Sequence, residues 1–285
     1  MANRGRQDGA AIERLPRYNQ GMNWIYLSPH FDDVALSCGG LVWEQVQAGN
    51  PVCIWTICAG EPPAGALSPF AQELHARWET GPAAPSQRRS EDSASCQRLG
   101  ASPRYSSVPD CIYRRDPHTG EFLYASEGSL SGALHPGDAG LVTVLREELG
   151  RALHADVAIV CPLALGNHVD HQLTRLAAEG LDCTLWYYAD YPYVLRCKTQ
   201  VEAMEQEGWK TKVFPISGEG LSAWQDSVAA HGSQISTFWV GENEMRLAVC
   251  EHMQWNKGMR LWRKPGPSRK HQTREARKDE SQLQS

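Results

Sequence analysis

Leu27-Ser-Pro-His-Phe-Asp-Asp-Val-Ala-Leu-Ser-Cys-Gly-Gly40 sets the architecture of this chain. The apolar run Trp24-Ile-Tyr-Leu27 stops at Ser28-Pro29, and His30, Asp32 and Asp33 follow at once. Apolar residues then resume at Val34, Leu36, Leu41, Val42 and Val46, a spacing that fits one face of a helix. The segment therefore reads as strand, tight turn and helix, with an imidazole and two carboxylates at the carboxyl end of the strand. Open α/β sheets hold their ligands at that place.

Outward from it, the same alternation repeats. Gly49-Asn50-Pro51 closes the first helix, and Val52 to Cys58 is a short β-branched run of the buried parallel type. Residues 59–84 are rich in Pro, Gly and Ala around one helical patch, Phe70 to Trp78, and read as a functional loop. A helix follows from Ser86 to Leu99, then a third strand at Tyr105 to Val108 and an irregular stretch over 113–137. Asp138 reads as the N-cap of a helix through Leu153. Asp156 to Cys161 is the next buried strand, the helix opened by His168 and His171 ends at Gly180, and Thr184 to Tyr188 is a fifth strand. Beyond Tyr193 the pattern loosens, with a short strand near Val194, another at Lys212 to Ile216 and a helix from Leu221 to Ala230. The expectation is an α/β, Rossmann-like, mostly parallel sheet flanked by helices, with a smaller irregular C-terminal part. Residues 1–21 read as a flexible leader, 22–263 as a single domain, and 264–285 as a charged, disordered tail.

Bulk properties exclude several classes. The chain has 285 residues, 41% hydrophobic and 21% charged, which suits a soluble globular protein with a sizeable core. A net charge of −5 gives no basic field for nucleic acid. No apolar run approaches the ~18–20 residues of a membrane span, and the N-terminus lacks the apolar stretch of a signal peptide. Nine cysteines, an odd count without a Cys-x-x-Cys pair, favour reduced thiols and a cytoplasmic setting.

A second cluster, Gly166-Asn-His-Val-Asp-His171, supplies what the first lacks. An Asp-Asp pair before a helix is ordinarily a cap plus a first-turn charge, and an isolated His-x-x-His is ordinarily surface or core. Here both fall at the ends of separate apolar strands, and that coincidence favours one divalent metal. His30, Asp33 and His171 form the candidate ligand set, which leaves positions open for water and substrate. His168 and His171 share a helix face, and only one of them has to bind. Asp32 leaves the backbone in a different direction from Asp33, so it is placed to take a proton from activated water. Asp170 is positioned to hold an imidazole tautomer.

These residues carry a family resemblance. Ser28-Pro-His-Phe-Asp-Asp33 with Leu36-Ser-Cys-Gly-Gly40, followed by His168-Val-Asp-His171, resembles the PIG-L/LmbE-like superfamily of zinc-dependent N-deacetylases over roughly Trp24 to Trp239. The resemblance implies one zinc ion per chain, with other divalent metals open to it, on His30, Asp33 and His171. It also implies Asp32 as general base and His168 as the group that stabilises the oxyanion or protonates the leaving amine. Arg88-Arg-Ser-Glu91 resembles the family's substrate-side arginine helix, which makes Arg88 a candidate substrate contact. Asp110 matches a carboxylate that binds sugar hydroxyls, and His231-Gly-Ser-Gln234 resembles a segment near the mouth of the site. Phe31 and Val169 stand where proline is common, and Gly166 where some members have a tyrosine.

The reaction implied is hydrolysis of an N-acyl group, foremost N-acetyl, from an amino sugar such as N-acetylglucosamine or a small glycoconjugate. No nucleic acid or membrane anchor is expected, and a homo-oligomer is left open. Trp78, Tyr113, Phe122 and Tyr124, in the loops 60–84 and 113–137, are the expected determinants of substrate choice. Two rivals remain at this level. A non-haem Fe(II) oxygenase would use His30 and Asp32 with a distant histidine, but its ligands usually sit on an all-β scaffold. A non-catalytic sugar-binding module would dispense with the acid–base pair.

Overall fold

The computed structural model describes residues 22–153 and 157–265. The expected leader, most of the expected tail and Asp156 lie outside them. One seven-stranded sheet organises the chain, in the order β3-β2-β1-β4-β5-β7-β6. Its strands are β1 (Asn23–Ser28), β2 (Val52–Thr56), β3 (Ser102–Tyr105), β4 (Val157–Pro162), β5 (Leu185–Tyr188), β6 (Lys210–Phe214) and β7 (Met259–Arg263). The first five are parallel, and β7 runs antiparallel between β5 and β6. The chain moves outward from β1 through β2 to β3, then returns to place β4 on the other side of β1. The crevice between β1 and β4 is thus the topological switch point, where doubly wound sheets take their ligands.

Helices α1 (Asp33–Gln47), α2 (Pro69–Arg77), α3 (Ala84–Leu99), α4 (Glu127–Leu130), α5 (Ala139–Ala152), α6 (Val169–Glu179), α7 (Lys198–Gln206), α8 (Gly218–Ala229), α9 (Gly232–Phe238) and α10 (Glu242–Asn256) cover the sheet. Strand alternation divides the core. Ile25, Leu27, Cys53 and Trp55 pack with Leu145, Leu149, Leu173 and Ala177 of α5 and α6. Tyr26 and Ile54 turn the other way, toward Leu41 and Val42 of α1, Trp224 of α8 and Met245 of α10. Burial on both faces explains why β1, β2 and β4 are unbroken apolar runs.

The Gly39-Gly40 pair has a packing role. A Cβ on Gly39 would lie 2.5 Å from the Trp224 ring, whose Nε1 donates to the Ala35 carbonyl at 2.8 Å. The glycines let α8 lie close against α1.

Several expectations shift. The third strand is Ser102–Tyr105, upstream of the expected Tyr105 to Val108, because β3 is a half-exposed edge strand that tolerates Pro103 and carries little apolar signal. Val194 lies in a 3-10 turn, Tyr193–Arg196, and not in a strand. The strand expected at Lys212 to Ile216 is Lys210–Phe214, and its partner Met259–Arg263 escaped detection because arginines interrupt it. The less regular C-terminal part therefore completes the same sheet. Asp138 occupies the N-cap of α5 but makes no capping bond, accepting instead from the Tyr124 hydroxyl at 2.8 Å.

Candidate active site

The turn after β1 is tied by Ser28, whose hydroxyl donates to the His30 carbonyl at 2.6 Å and accepts from the Val34 amide at 3.1 Å. It leaves Asp32 at the N-cap of α1 with no side-chain capping bond, so its carboxylate is available elsewhere. Asp33 turns back on the loop. Its Oδ2 accepts the His30 amide at 2.7 Å and lies 3.1 Å from His30 Nδ1, while its Oδ1 lies 3.3 Å from His171 Nε2. One carboxylate therefore faces two imidazoles.

The second cluster comes from the neighbouring strand, β4, through a loop in which Ala164, Gly166 and Asn167 have positive φ. His168 does not share a helix face with His171, as the spacing suggested. It is the N-cap of α6, and its Nδ1 accepts the Asp170 amide at 3.2 Å. The cap turn still brings the two rings to 5.3 Å, with the His30 ring 4.8 Å from His168 and 5.5 Å from His171. Candidate ligand atoms of the three histidines lie within 4.8 Å of one another.

Each front imidazole is anchored from behind. His30 Nε2 meets Asp170 Oδ2 at 3.0 Å, and His171 Nδ1 meets Asp190 Oδ1 at 2.6 Å. Asp170, fully buried, also accepts the Cys111 amide at 3.0 Å and pairs with Arg114 at 2.6 Å; Arg114 in turn meets Asp138 at 3.1 Å. Asp190 accepts the Leu165 amide at 2.8 Å. Asp170 thus lies against the His30 imidazole. Arg114 and Asp190 were not singled out from the sequence. Asp190 had a signal, because it follows the end of β5 as Asp33 follows the end of β1.

The electrostatics follow from these contacts. Burial pushes the Asp33 carboxyl up, but the facing His171 and His30 imidazoles outweigh it and hold it well below the usual carboxylate range. Burial lowers His171, yet Asp33 and Asp190 outweigh it and raise the imidazole to about 10. His168 goes the other way, to about 3, through burial and its histidine neighbours. With Nδ1 accepting, a neutral His168 carries its proton on Nε2.

The donor chemistry fits a metal. The back nitrogens of His30 and His171 are taken, so His30 Nδ1 and His171 Nε2 both face Asp33. Two imidazole nitrogens and a carboxylate oxygen suit zinc and similar divalent ions, and carboxylate-backed histidines are the usual companions of such sites. Asp33 lies 3.1 Å from His30 Nδ1 and 3.3 Å from His171 Nε2, while the three histidines form the set whose ligand atoms all lie within 4.8 Å of one another; His168 is an alternative third donor if its Nε2 proton is released.

A cleft of about 200 Å³ opens over these groups, lined by Asp32, Trp78, Arg88, Asp110, Tyr193 and Phe238 among others. Arg88 is 7% exposed, so it is not a solvated surface arginine. Its guanidinium lies 3.3 Å from Asp32 Oδ1, 3.6 Å from Asp110 Oδ2 and 4.8 Å from the Trp78 ring centroid. Asp110 is also 3.9 Å from His30 Nε2. Of the four loop aromatics, Trp78 lines the cleft. Tyr113 and Tyr124 are buried in a satellite core, and Phe122 stacks beneath Arg115 at 3.6 Å. Larger hollows of 340, 300 and 240 Å³ lie at Asn50 and Ser102, near the opposite end of the strands, beside Gln172 and Arg175, and beside Trp255, with no comparable cluster of histidines among the described residues.

A switch-point cluster of carboxylate-backed histidines, fed by the ends of adjacent parallel strands, defines an α/β domain with a candidate divalent-metal site beside the Asp32 carboxylate. Residues 25–180 match the PIG-L family, described as GlcNAc-PI de-N-acetylase, and the chain belongs to that family. It is 27% identical over 206 residues to 2'-N-acetylparomamine deacetylase of Niallia circulans, across 66% of this chain and 72% of that one. Teicoplanin deacetylase, solved in a zinc-inhibited form, has a similar structure, with a TM-score of 0.71, 26% identity, and coverage of 84% of this chain and 97% of the other. The A40926 pseudoaglycone deacetylase is similar at a TM-score of 0.63 and 25% identity, over 86% and 97% of the two chains. Among the described residues, no helix is long and apolar enough to cross a membrane.

Proposed function

We propose that this chain hydrolyses an N-acyl group, foremost N-acetyl, from an amino sugar carried on a small glycoconjugate. One zinc ion per chain is held by His30, Asp33 and His171, and Asp32 is the general base. The observation that carries this reading is the carboxylate of Asp33 facing two imidazoles, each fixed from behind by another carboxylate, beside a cleft that also admits Asp32. The relatives named as deacetylases of 2'-N-acetylparomamine, teicoplanin and the A40926 pseudoaglycone support the substrate class.

A metal in this position supplies an electrophile for the acyl oxygen and makes water nucleophilic at neutral pH. The residues of the chain do the rest. Asp32 takes the proton of the attacking water, with Arg88 steadying one of its oxygens. His168 donates a hydrogen bond from its Nε2–H to the acyl oxygen as charge gathers there, and keeps its proton. The proton held by Asp32 then passes to the departing amine. Arg88 and Asp110 contact the sugar hydroxyls, while Trp78, Tyr193 and Phe238 restrict water in the cleft.

We further propose that residues 22–263 act as one catalytic domain with a small-molecule substrate and no nucleic-acid partner. Nine unpaired cysteines, six of them buried, support a cytoplasmic setting. Asp32→Asn tests the assignment of the base. It is expected to reduce turnover by a factor of about 10² or more while metal content stays at the wild-type level. Substantial remaining activity would remove Asp32 from the role.

A further inference from the structure

His231 is an unpaired polar group inside the fold. It is 1% exposed, and neither ring nitrogen has a hydrogen-bond partner. Buried polar groups are ordinarily bonded, and an exception calls for a cause. Loose placement is not the cause. The His231 carbonyl accepts the Gln234 amide at 2.9 Å, and the amide and hydroxyl of Ser233 bond to Glu91 of α3 at 3.1 and 2.7 Å. The segment is therefore pinned across α3, three residues beyond Arg88.

The imidazole borders a narrow space shared with Asp32, Leu36, Val228, Phe238 and Trp239. That space has no room for a water molecule, so on this side of the ring a partner would be a protein group. Its polar lining is Asp32 and Gln234, and the Gln234 Nε2 donates to the Ser233 hydroxyl at 3.0 Å. Asp32 is the complement. Arg88 meets its Oδ1 at 3.3 Å, and among the described residues its Oδ2 has no hydrogen-bond partner. Asp32 lines the open cleft on one side and the His231 space on the other.

We infer that His231 is a positioning residue, whose ring N–H bonds the Asp32 carboxylate from behind and, together with Arg88, fixes the edge that faces the cleft. The inference rests on the assignment of Asp32 as the base and adds what aims it. The ring nitrogens are unbonded in this structure, so the contact requires the ring to move, with no covalent step.

Nuclear magnetic resonance of the full chain with ring-¹⁵N histidine tests the contact, the His231 signals being assigned with His231→Gln. Asp32→Asn is expected to move the His231 ring resonances; unmoved resonances overturn the inference. In parallel, His231→Leu should lower kcat about tenfold or more with KM within about twofold, and His231→Gln, which keeps a donor, should recover much of the loss. Equal losses in both variants, or a change in KM alone, overturn it as well. The spectroscopic arm needs no turnover. A silent wild type whose His231 signal depends on Asp32 upholds the contact and removes only the deacetylase reading. An active wild type whose His231 signal ignores Asp32 removes the inference alone.

Discussion

His171 turns its Nδ1 onto Asp190 Oδ1 at 2.6 Å, and by doing so aims its Nε2 at Asp33 Oδ1, 3.3 Å away. A ligand histidine is useful only in the tautomer and orientation that present a bare nitrogen to the metal, and a buried carboxylate enforces both. Asp190→Asn weakens that hold without emptying the space. It should lower metal affinity about 10- to 100-fold, measured by competition with a chelator. Unchanged affinity would mean that packing alone orients His171.

Arg114 presents a stability test. It is 5% exposed and lies between Asp170 and Asp138, which are 0% and 1% exposed. Arg114→Met fills similar volume but leaves those carboxylates without their counter-charge. The expected cost is about 3–5 kcal/mol, read from denaturant unfolding. A loss below about 1 kcal/mol would indicate that the carboxylates take up protons at little cost.

Asp92, on the buried side of α3, gives a pH signature away from the metal ligands. Burial raises its carboxyl from 3.8 to about 7. Because the folded value lies above the unfolded one, the stabilising proton is fully bound below about pH 4, and its contribution is lost as pH rises through about 7. The scale is about 1.4 kcal/mol for each tenfold change in proton affinity. Asp92→Asn should therefore flatten the fall in melting temperature between pH 5 and 8. Parallel pH curves for variant and wild type would contradict the assignment.

Gly39 is the packing test. A methyl group there meets the Trp224 ring at 2.5 Å, and Trp224 is fully buried. Gly39→Ala should cost about 1–3 kcal/mol in thermal or chemical unfolding, and Gly49→Ala offers a poor control because its φ is +82°. Gly140 has open space around a Cβ and no positive φ, so Gly140→Ala is the suitable comparison.

What the sequence disclosed follows from where the physical signal is strongest. β1, β2 and β4 are buried on both faces and read as unbroken apolar runs, so the parallel core was legible. β3 and β7, interrupted by Pro103 and by Arg260, were misplaced or missed. At the site, the two motifs identified the groups that converge, because each follows a strand end. His168 was given a helical position that it does not have, since a spacing of three residues describes a cap turn as well as a helix face. Arg114 and Asp190 act through pairings across distant segments, which no local pattern encodes. Tyr193 reaches the cleft for a similar reason. A Cβ on Gly166 would come within 3.1 Å of its ring, so the glycine leaves room for a side chain arriving from after β5.

Amine release is the most direct measurement of the central claim. Protein stripped of metal and the same protein reloaded with zinc are incubated with 2'-N-acetylparomamine, other N-acetylated glycoconjugates and free N-acetylglucosamine, and new primary amine is quantified. The account predicts release from at least one conjugate by the reloaded protein, little by the stripped protein, and little by reloaded Asp32→Asn. Equal release with and without metal, or zinc-loaded wild type that binds these sugars and frees no amine, would contradict it.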